Sequence, residues 1–360
     1  MSKPLVSILL PSLNARSFLQ PRIESILAQT FSDWEAIVLD SHSTDGSWEI
    51  FQSIAATDAR FRLYQIPADG LYAALNRGLD LAEGEFIHIA TCDDTMAPEF
   101  LSDMLGAFDH CPEAGLAVCN MLAINRHGNE LALRDVSGRG AKRGVRNLLA
   151  LDVVRTAFPG QKMQTINYRP VPHDCLLHFA GRSVYCSLNQ LLIRSSATKA
   201  VGPFDTHVGS VADFGWLLRL TSTIGSVHLP KKLAMWRYHG KQLSFYKDDS
   251  RPGFMRKMAE RTLQDVCKLF PTLLDRNDKA ALLLPFKIMT TRNVLWRVYY
   301  WFEGAARLAR MAFERPAPTL RGLRRVKFRF WMRRYFLLPM IFEGLELAPE
   351  KPEDMRFLNN

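Results

Sequence analysis

Two adjacent carboxylates, Asp93 and Asp94, follow directly on the apolar run at residues 85–90 (EFIHIA) in the stretch HIATCDDT. Acids this close repel each other unless a cation, hydrogen bonds or open solvent takes up their charge. A hard divalent cation such as Mg2+ or Mn2+ suits them, because it takes one or two protein carboxylates and completes its shell with phosphate oxygens and water. The chain offers no dense ligand cage, so such a metal is expected to arrive with a diphosphate ligand and to neutralise charge on the leaving group. Other polar residues stand in comparable places. Asn14 follows the first apolar run, Asp40 with Ser41 and His42 closes the second, Asp213 opens the helical stretch VADFGWLLRL, and His239 follows the run ending at Tyr238. Each has a plainer reading beside the chemical one. Asp213 could be a charge stabilised by the helix dipole, His239 a hydrogen-bonded structural histidine, and Asp45 in STDG a turn cap.

The elements that must position these residues are legible as alternating periods. Residues 5–10 (LVSILL), 35–40 (EAIVLD), 61–66 (FRLYQI) and 85–90 are short apolar runs bounded by turn residues, which predicts strands. Phe18, Leu19, Ile23, Ile26 and Leu27 form a helical stripe, as do Ile50, Phe51 and Ile54, and Leu75, Leu79 and Ala82. This β-α-β-α order predicts an α/β fold with a mostly parallel sheet and helices on both faces. In such sheets a ligand lies beyond the carboxyl ends of the strands, where Asn14, Asp40 and the acid pair all fall. Further on, residues 98–108, 147–157 and 211–220 are expected as helices and 115–120 (GLAVCN) as a strand, with a long loop over 158–185.

With 360 residues, 48% of them hydrophobic and 23% charged, the chain can bury a large core and is neither disordered nor repetitive. Its six cysteines have no CxxC spacing, so buried thiols in a reducing compartment are expected. The opening MSKPLVSILLPSLN suits a first strand rather than a secretion signal, which makes the cytoplasm the expected location. The net charge of +10 is concentrated late: residues 251–340 hold 20 Lys and Arg against 6 Asp and Glu. Residues 315–334 carry eight basic residues and no acid, interleaved with Trp, Phe and Leu and followed by Tyr335. A solvated basic face and an anionic membrane surface fit that composition equally, the second implying a peripheral position at the inner face of the membrane. Nucleic acid is not expected, for want of a recognisable module.

Four blocks, in order over about residues 4–244, make a more specific pattern. VSILLPSLN leads through SILAQT to VLDSHSTDGS; DGLYAALNRGLDLAEGEFIHIATCDD follows; then VGPFDTHVGSVADFGWLLRL; then RYHGKQLS. In these blocks the sequence resembles the family 2 glycosyltransferases, which have the GT-A nucleotide-sugar fold. The resemblance implies a GT-A domain at 1–246, with a nucleotide-binding half at 1–95 and an acceptor half at 96–246, followed by a basic, aromatic-rich helical extension at 247–360. It gives nucleotide contacts to Pro11, Leu13, Asn14, Asp40, Asp69 and Asp93, the metal to Asp94 and His239, and the general base to Asp213. Ser41 stands where many members have a second acid, and Leu71 where some have arginine. The implied reaction is metal-dependent transfer, with inversion, from a nucleotide-diphosphate sugar to a hydroxyl of a glycan or lipid-linked acceptor, uridine being the family expectation. A nucleotidyltransferase would carry a Gly-rich basic loop after the first strand, which PSLNARSF lacks. A non-catalytic binding module would be expected to have lost the acid pair or Asp213, and both are present.

Overall fold

The structure, a computed structural model, describes residues 3–131, 166–179, 185, 187–239 and 251–269, together with positions 271 and 283. Strands β1 (Val6–Ser12), β2 (Trp34–Asp40), β3 (Phe61–Gln65) and β4 (Phe86–Ile89) alternate with helices α1 (Arg16–Leu27), α2 (Ser47–Ala55) and α3 (Leu71–Leu81). They pair in parallel in the order β3-β2-β1-β4. Every residue of β1 and β2 is buried, as expected of strands covered on both faces.

The period of two divides these strands between two core layers. Val6, Ile8 and Leu10 face α1 and α2 through Leu19, Ile23 and Phe51, whereas Leu9, Ile37 and Leu39 face α3 through Tyr72 and Leu75. Two glycines are fixed by close approach. A Cβ on Gly78 of α3 would stand 2.7 Å from Leu39 Cδ1, and one on Gly84 would stand 2.6 Å from the backbone nitrogen of Ser7.

Beyond β4 the sheet becomes mixed. The chain adds β5 (Thr95–Met96), α4 (Phe100–His110), β6 (Ala114–Ile124), β7 (Asn167–Arg169), α5 (His173–Phe179), β8 (Leu191–Arg194), α6 (Ser195–Val201), α7 (Ala212–Thr221), β9 (Gly225–Arg237) and α8 (Arg251–Leu269). Strand β8 pairs antiparallel with both β4 and β6, and β6 runs parallel with β9. Strands β5 and β7 both line the outer edge of β9. Strand β9 carries Pro230 in a bulge, where Asn120 Nδ2 donates to the Pro230 carbonyl at 2.9 Å.

The expected loop at 158–185 contains β7 and α5 in its described part. A three-residue strand and a seven-residue helix are too short to show a period, and a buried ion pair between Arg169 and Asp174 holds them to the sheet. The expected helix at 147–157 and the basic stretch at 315–334 lie outside the described residues. Of the extension from 247, α8 is described; it packs on α7. Cys92, Cys111, Cys119 and Cys175 are buried free thiols.

Candidate active site

The acid pair sits in the turn between β4 and β5, and its two members point to different environments. Asp94 is 2% exposed. Its Oδ1 accepts the Arg237 amide at 2.9 Å, and its Oδ2 accepts the Thr91 hydroxyl at 2.9 Å and the Ser187 hydroxyl at 3.5 Å. Burial, then the neighbouring charge of Asp93, pushes the Asp94 carboxyl up to about 7 against those donors and Arg22. Asp93 keeps 31% of its side chain exposed, and its Oδ2 lies 2.9 Å from His239 Nε2. The His239 ring rests against Phe18 of α1, with centroids 4.8 Å apart. Asp93 is thus the more exposed carboxylate of the pair, and Asp94, to which the resemblance gives the metal, is buried in this structure.

A clasp from the end of β9 fixes this turn. Besides its amide bond to Asp94, Arg237 donates from Nε to the Asp93 carbonyl at 2.7 Å and from Nη1 to the carbonyls of Asn125 and Arg126 at 3.2 Å each. The R-x-H of RYHGKQLS thus acts twice, with Arg237 holding the backbone of the pair and His239 meeting its exposed carboxylate. Below the turn, Arg22 of α1 is fully buried and bonds Asn189 through Nη2. Burial lowers its pKa to about 10, resisted by the charges of Asp94, Cys92 and Asp93. His88 is buried on β4, its Nδ1–H donating to the Leu191 carbonyl at 3.0 Å. Burial, with the charge of Arg22, pushes it down to about 3, so it is neutral. Arg22, Asn189 and Ser187 carried no signal in the sequence, since a lone arginine on an amphipathic helix reads as solvated and only tertiary packing buries it.

The ends of β1 and β2 are stitched into one rigid lip. Asn14 and His42 both adopt the left-handed region, with φ 51° and 56°. The Asn14 amide donates to Ser43 Oγ at 2.9 Å, and Asn14 Oδ1 accepts the Thr44 amide at 2.9 Å. Asp40 is fully buried, accepting the Ser43 amide at 2.9 Å and the Ser43 hydroxyl at 2.6 Å, so in this structure it supports the lip rather than facing the cleft. Asp45 accepts from the Ser47 amide at 3.0 Å and the Arg16 amide at 2.9 Å, the turn-capping role. Pro11 is buried, its carbonyl accepting the Cys92 thiol, while Leu13 is 57% exposed. Asp69 is exposed and paired with Arg77 at 2.6 Å.

Asp213 occupies the first turn of α7, half-buried, with Oδ1 accepting the Phe214 amide at 2.6 Å. The position of α7 is set through α3. Asn76 of the N-x-G element brackets Phe204, donating to its carbonyl at 2.9 Å and accepting its amide at 2.8 Å. Phe204 stacks on Trp216 at 4.4 Å, and Trp216 Nε1 donates to the Gly202 carbonyl at 2.9 Å. The motif asparagine and the GPFD segment thus connect α3 to α7.

Asp93 and His239 supply one carboxylate and one imidazole nitrogen. Among the described residues no three His, Cys, Asp or Glu side chains gather as a metal cage. Such a two-donor set fits a divalent cation whose remaining positions come from a bound phosphate and water.

The α/β sheet with its polar residues at the strand ends, flanked by helices, is the architecture of a GT-A domain. Residues 7–184 match the family model Glycosyl transferase family 2, and this segment belongs to that family. Among curated relatives, the chain is 32% identical over 123 residues to "Putative glycosyltransferase EpsH" of Bacillus subtilis, covering 34% of this chain and 35% of that protein. It is 34% identical over 104 residues to "Putative teichuronic acid biosynthesis glycosyltransferase TuaG" of the same organism, covering 29% and 41%. The chain therefore matches well under half the length of either relative. Among solved structures, S. aureus TarS 1-349 in complex with UDP-GlcNAc superposes with a TM-score of 0.56 at 17% identity, over 80% of this chain and 72% of that one, a likeness of fold.

Proposed function

We propose that this protein transfers a sugar from a nucleotide-diphosphate sugar to a hydroxyl of a glycan or lipid-linked acceptor, with inversion at the anomeric carbon. The observation that carries the reading is the clasp: Arg237 at the end of β9 and His239 two residues beyond it, remote in sequence, hold the acid turn at the strand ends, one by its backbone and one by its outward carboxylate. The lip of Leu13 and Asn14, held by Asp40, borders the nucleotide. Asp93 and His239 would hold a divalent metal, which supplies charge neutralisation to the departing diphosphate. Asp94 anchors the turn from within.

Asp213 accepts the proton of the attacking hydroxyl. A sugar hydroxyl is a weak nucleophile at neutral pH, so a positioned carboxylate lowers the barrier by taking that proton as the bond to the anomeric carbon forms. Attack opposite the leaving diphosphate inverts that centre. The names of the curated relatives point to cell-envelope or extracellular polysaccharide acceptors, and TarS, solved with UDP-GlcNAc, makes UDP-sugars the first donors to test. No helix among the described residues is long and apolar enough to cross a membrane. Contact with anionic lipid through 315–334 is part of the proposal for a lipid-linked acceptor. Incubating the full chain with a panel of nucleotide sugars and Mn2+ should release nucleoside diphosphate from one donor, faster once acceptor glycolipid is added. Release from no donor, with or without acceptor, would contradict the proposal.

A further inference from the structure

His42 is held in a conformation that its own chain does not reward. Its φ of 56° lies in the left-handed region, where a Cβ crowds the following carbonyl and glycine is at ease. The backbone on either side cannot relax. The Ser41 amide donates to the Ser12 carbonyl at 2.8 Å, the Ser43 amide and hydroxyl are both bound to Asp40, and Ser43 Oγ accepts from Asn14. The ring itself is exposed, and among the described residues it has no hydrogen-bond, ion-pair or ring partner. A second feature stands on the same lip. The β1 and β2 register ends on the pair Ser12 and Asp40, so Leu13 lies one residue beyond β1 and His42 two residues beyond β2, both at the same end of the sheet. Leu13 is one of three large apolar side chains exposed among the described residues. An exposed planar ring and an exposed apolar side chain thus both stand on the lip at the carboxyl ends of the strands, where α/β sheets take their ligands. Strained backbone kept by a fully bonded frame is a mark of a functional position.

We propose that His42 reads the nucleobase of the donor, with Leu13 as the apolar wall beside it, and so sets which nucleoside diphosphate the protein accepts. The imidazole face stacks on a planar base, and its two nitrogens give one donor and one acceptor to the base edge. This inference rests on the donor-site reading above and adds to it the residue that discriminates among bases.

The test is titration of the full chain with UDP, GDP and inorganic pyrophosphate in Mn2+, comparing wild type with His42→Gly and His42→Asn. Asparagine tolerates the left-handed region and keeps the turn while removing the ring. Both variants should melt no lower than wild type and bind pyrophosphate equally well. Both should lose at least about fivefold in affinity for the preferred nucleoside diphosphate, the lower end of what stacking one base on a ring contributes, and the ratio between UDP and GDP should shrink. An unchanged ratio of nucleoside diphosphate to pyrophosphate affinity in the variants would overturn the assignment, as would loss in His42→Gly with full discrimination in His42→Asn. A wild type that binds nucleoside diphosphates no better than pyrophosphate would overturn the donor-site reading itself.

Discussion

Asp213→Asn is expected to cut the single-turnover rate by roughly 10²-fold or more while leaving donor affinity and folding close to wild type. The substitution preserves the oxygen that accepts the Phe214 amide, so the first turn of α7 keeps its bond. Its packing is untouched as well, because Trp216, Leu218 and Leu220 carry the burial of that helix. What is lost is the capacity to take a proton. A carboxylate that served only the helix dipole would behave oppositely, costing about 0.3 to 1 kcal/mol of stability with the rate nearly intact. Measuring donor affinity, urea midpoint and single-turnover rate on one preparation separates the two, and a near-normal rate with lowered stability would remove Asp213 from catalysis.

The second large effect is on stability and lies behind the site. Asp174 accepts from Arg169 Nε at 2.6 Å and from the hydroxyls of Tyr185 and Ser226, with both members of the ion pair buried. Arg169 also donates to His228 Nδ1 at 3.0 Å, which leaves the His228 Nε2–H to donate to Asn120 at 2.9 Å. Burial, with the charge of Arg169, pushes His228 down to about 3 and keeps it neutral. Asp174→Ala strands the arginine charge in the interior, an expected loss of about 3 to 5 kcal/mol by denaturant unfolding. Although burial alone would raise the Asp174 carboxyl, Arg169 and the hydroxyl donors hold it below its ordinary value. Its contribution is therefore complete above the unfolded carboxyl value of about 3.9 and fades as pH falls through the depressed native value. The stability gap between wild type and Asp174→Asn should be constant from neutral pH to mild acid and close only below that point. A gap that closes near pH 6, or never exceeds 1 kcal/mol, would show that the pair is not the staple of β7 and α5.

The first ninety residues were readable because their periods are strong. LVSILL and EAIVLD are buried on both faces, and the helical stripes at 18–27 and 71–82 each face one layer. The motif blocks likewise singled out His239 and enclosed Asn76 and Arg237 without giving either a role. Three features were hidden for physical reasons. Adjacent residues in a turn have no period, so HIATCDDT does not reveal that Asp94 turns inward and Asp93 outward. The burial of Arg22 depends on α1 packing against the acid turn and on Asn189, 167 residues away. Asp40 sits at a strand end in sequence, but whether its carboxylate faces the cleft or the Ser43 turn is decided by local hydrogen bonds that no pattern encodes.

The central claim, a donor site built on the outward carboxylate of the clasped pair, is tested most directly by calorimetric titration of nucleoside diphosphate with Mn2+ into wild type, Asp93→Asn and Asp213→Asn. Binding should be present in wild type, vanish in excess chelator, fall at least tenfold in Asp93→Asn and persist in Asp213→Asn. Wild-type affinity in Asp93→Asn, or binding indifferent to chelator, would contradict it.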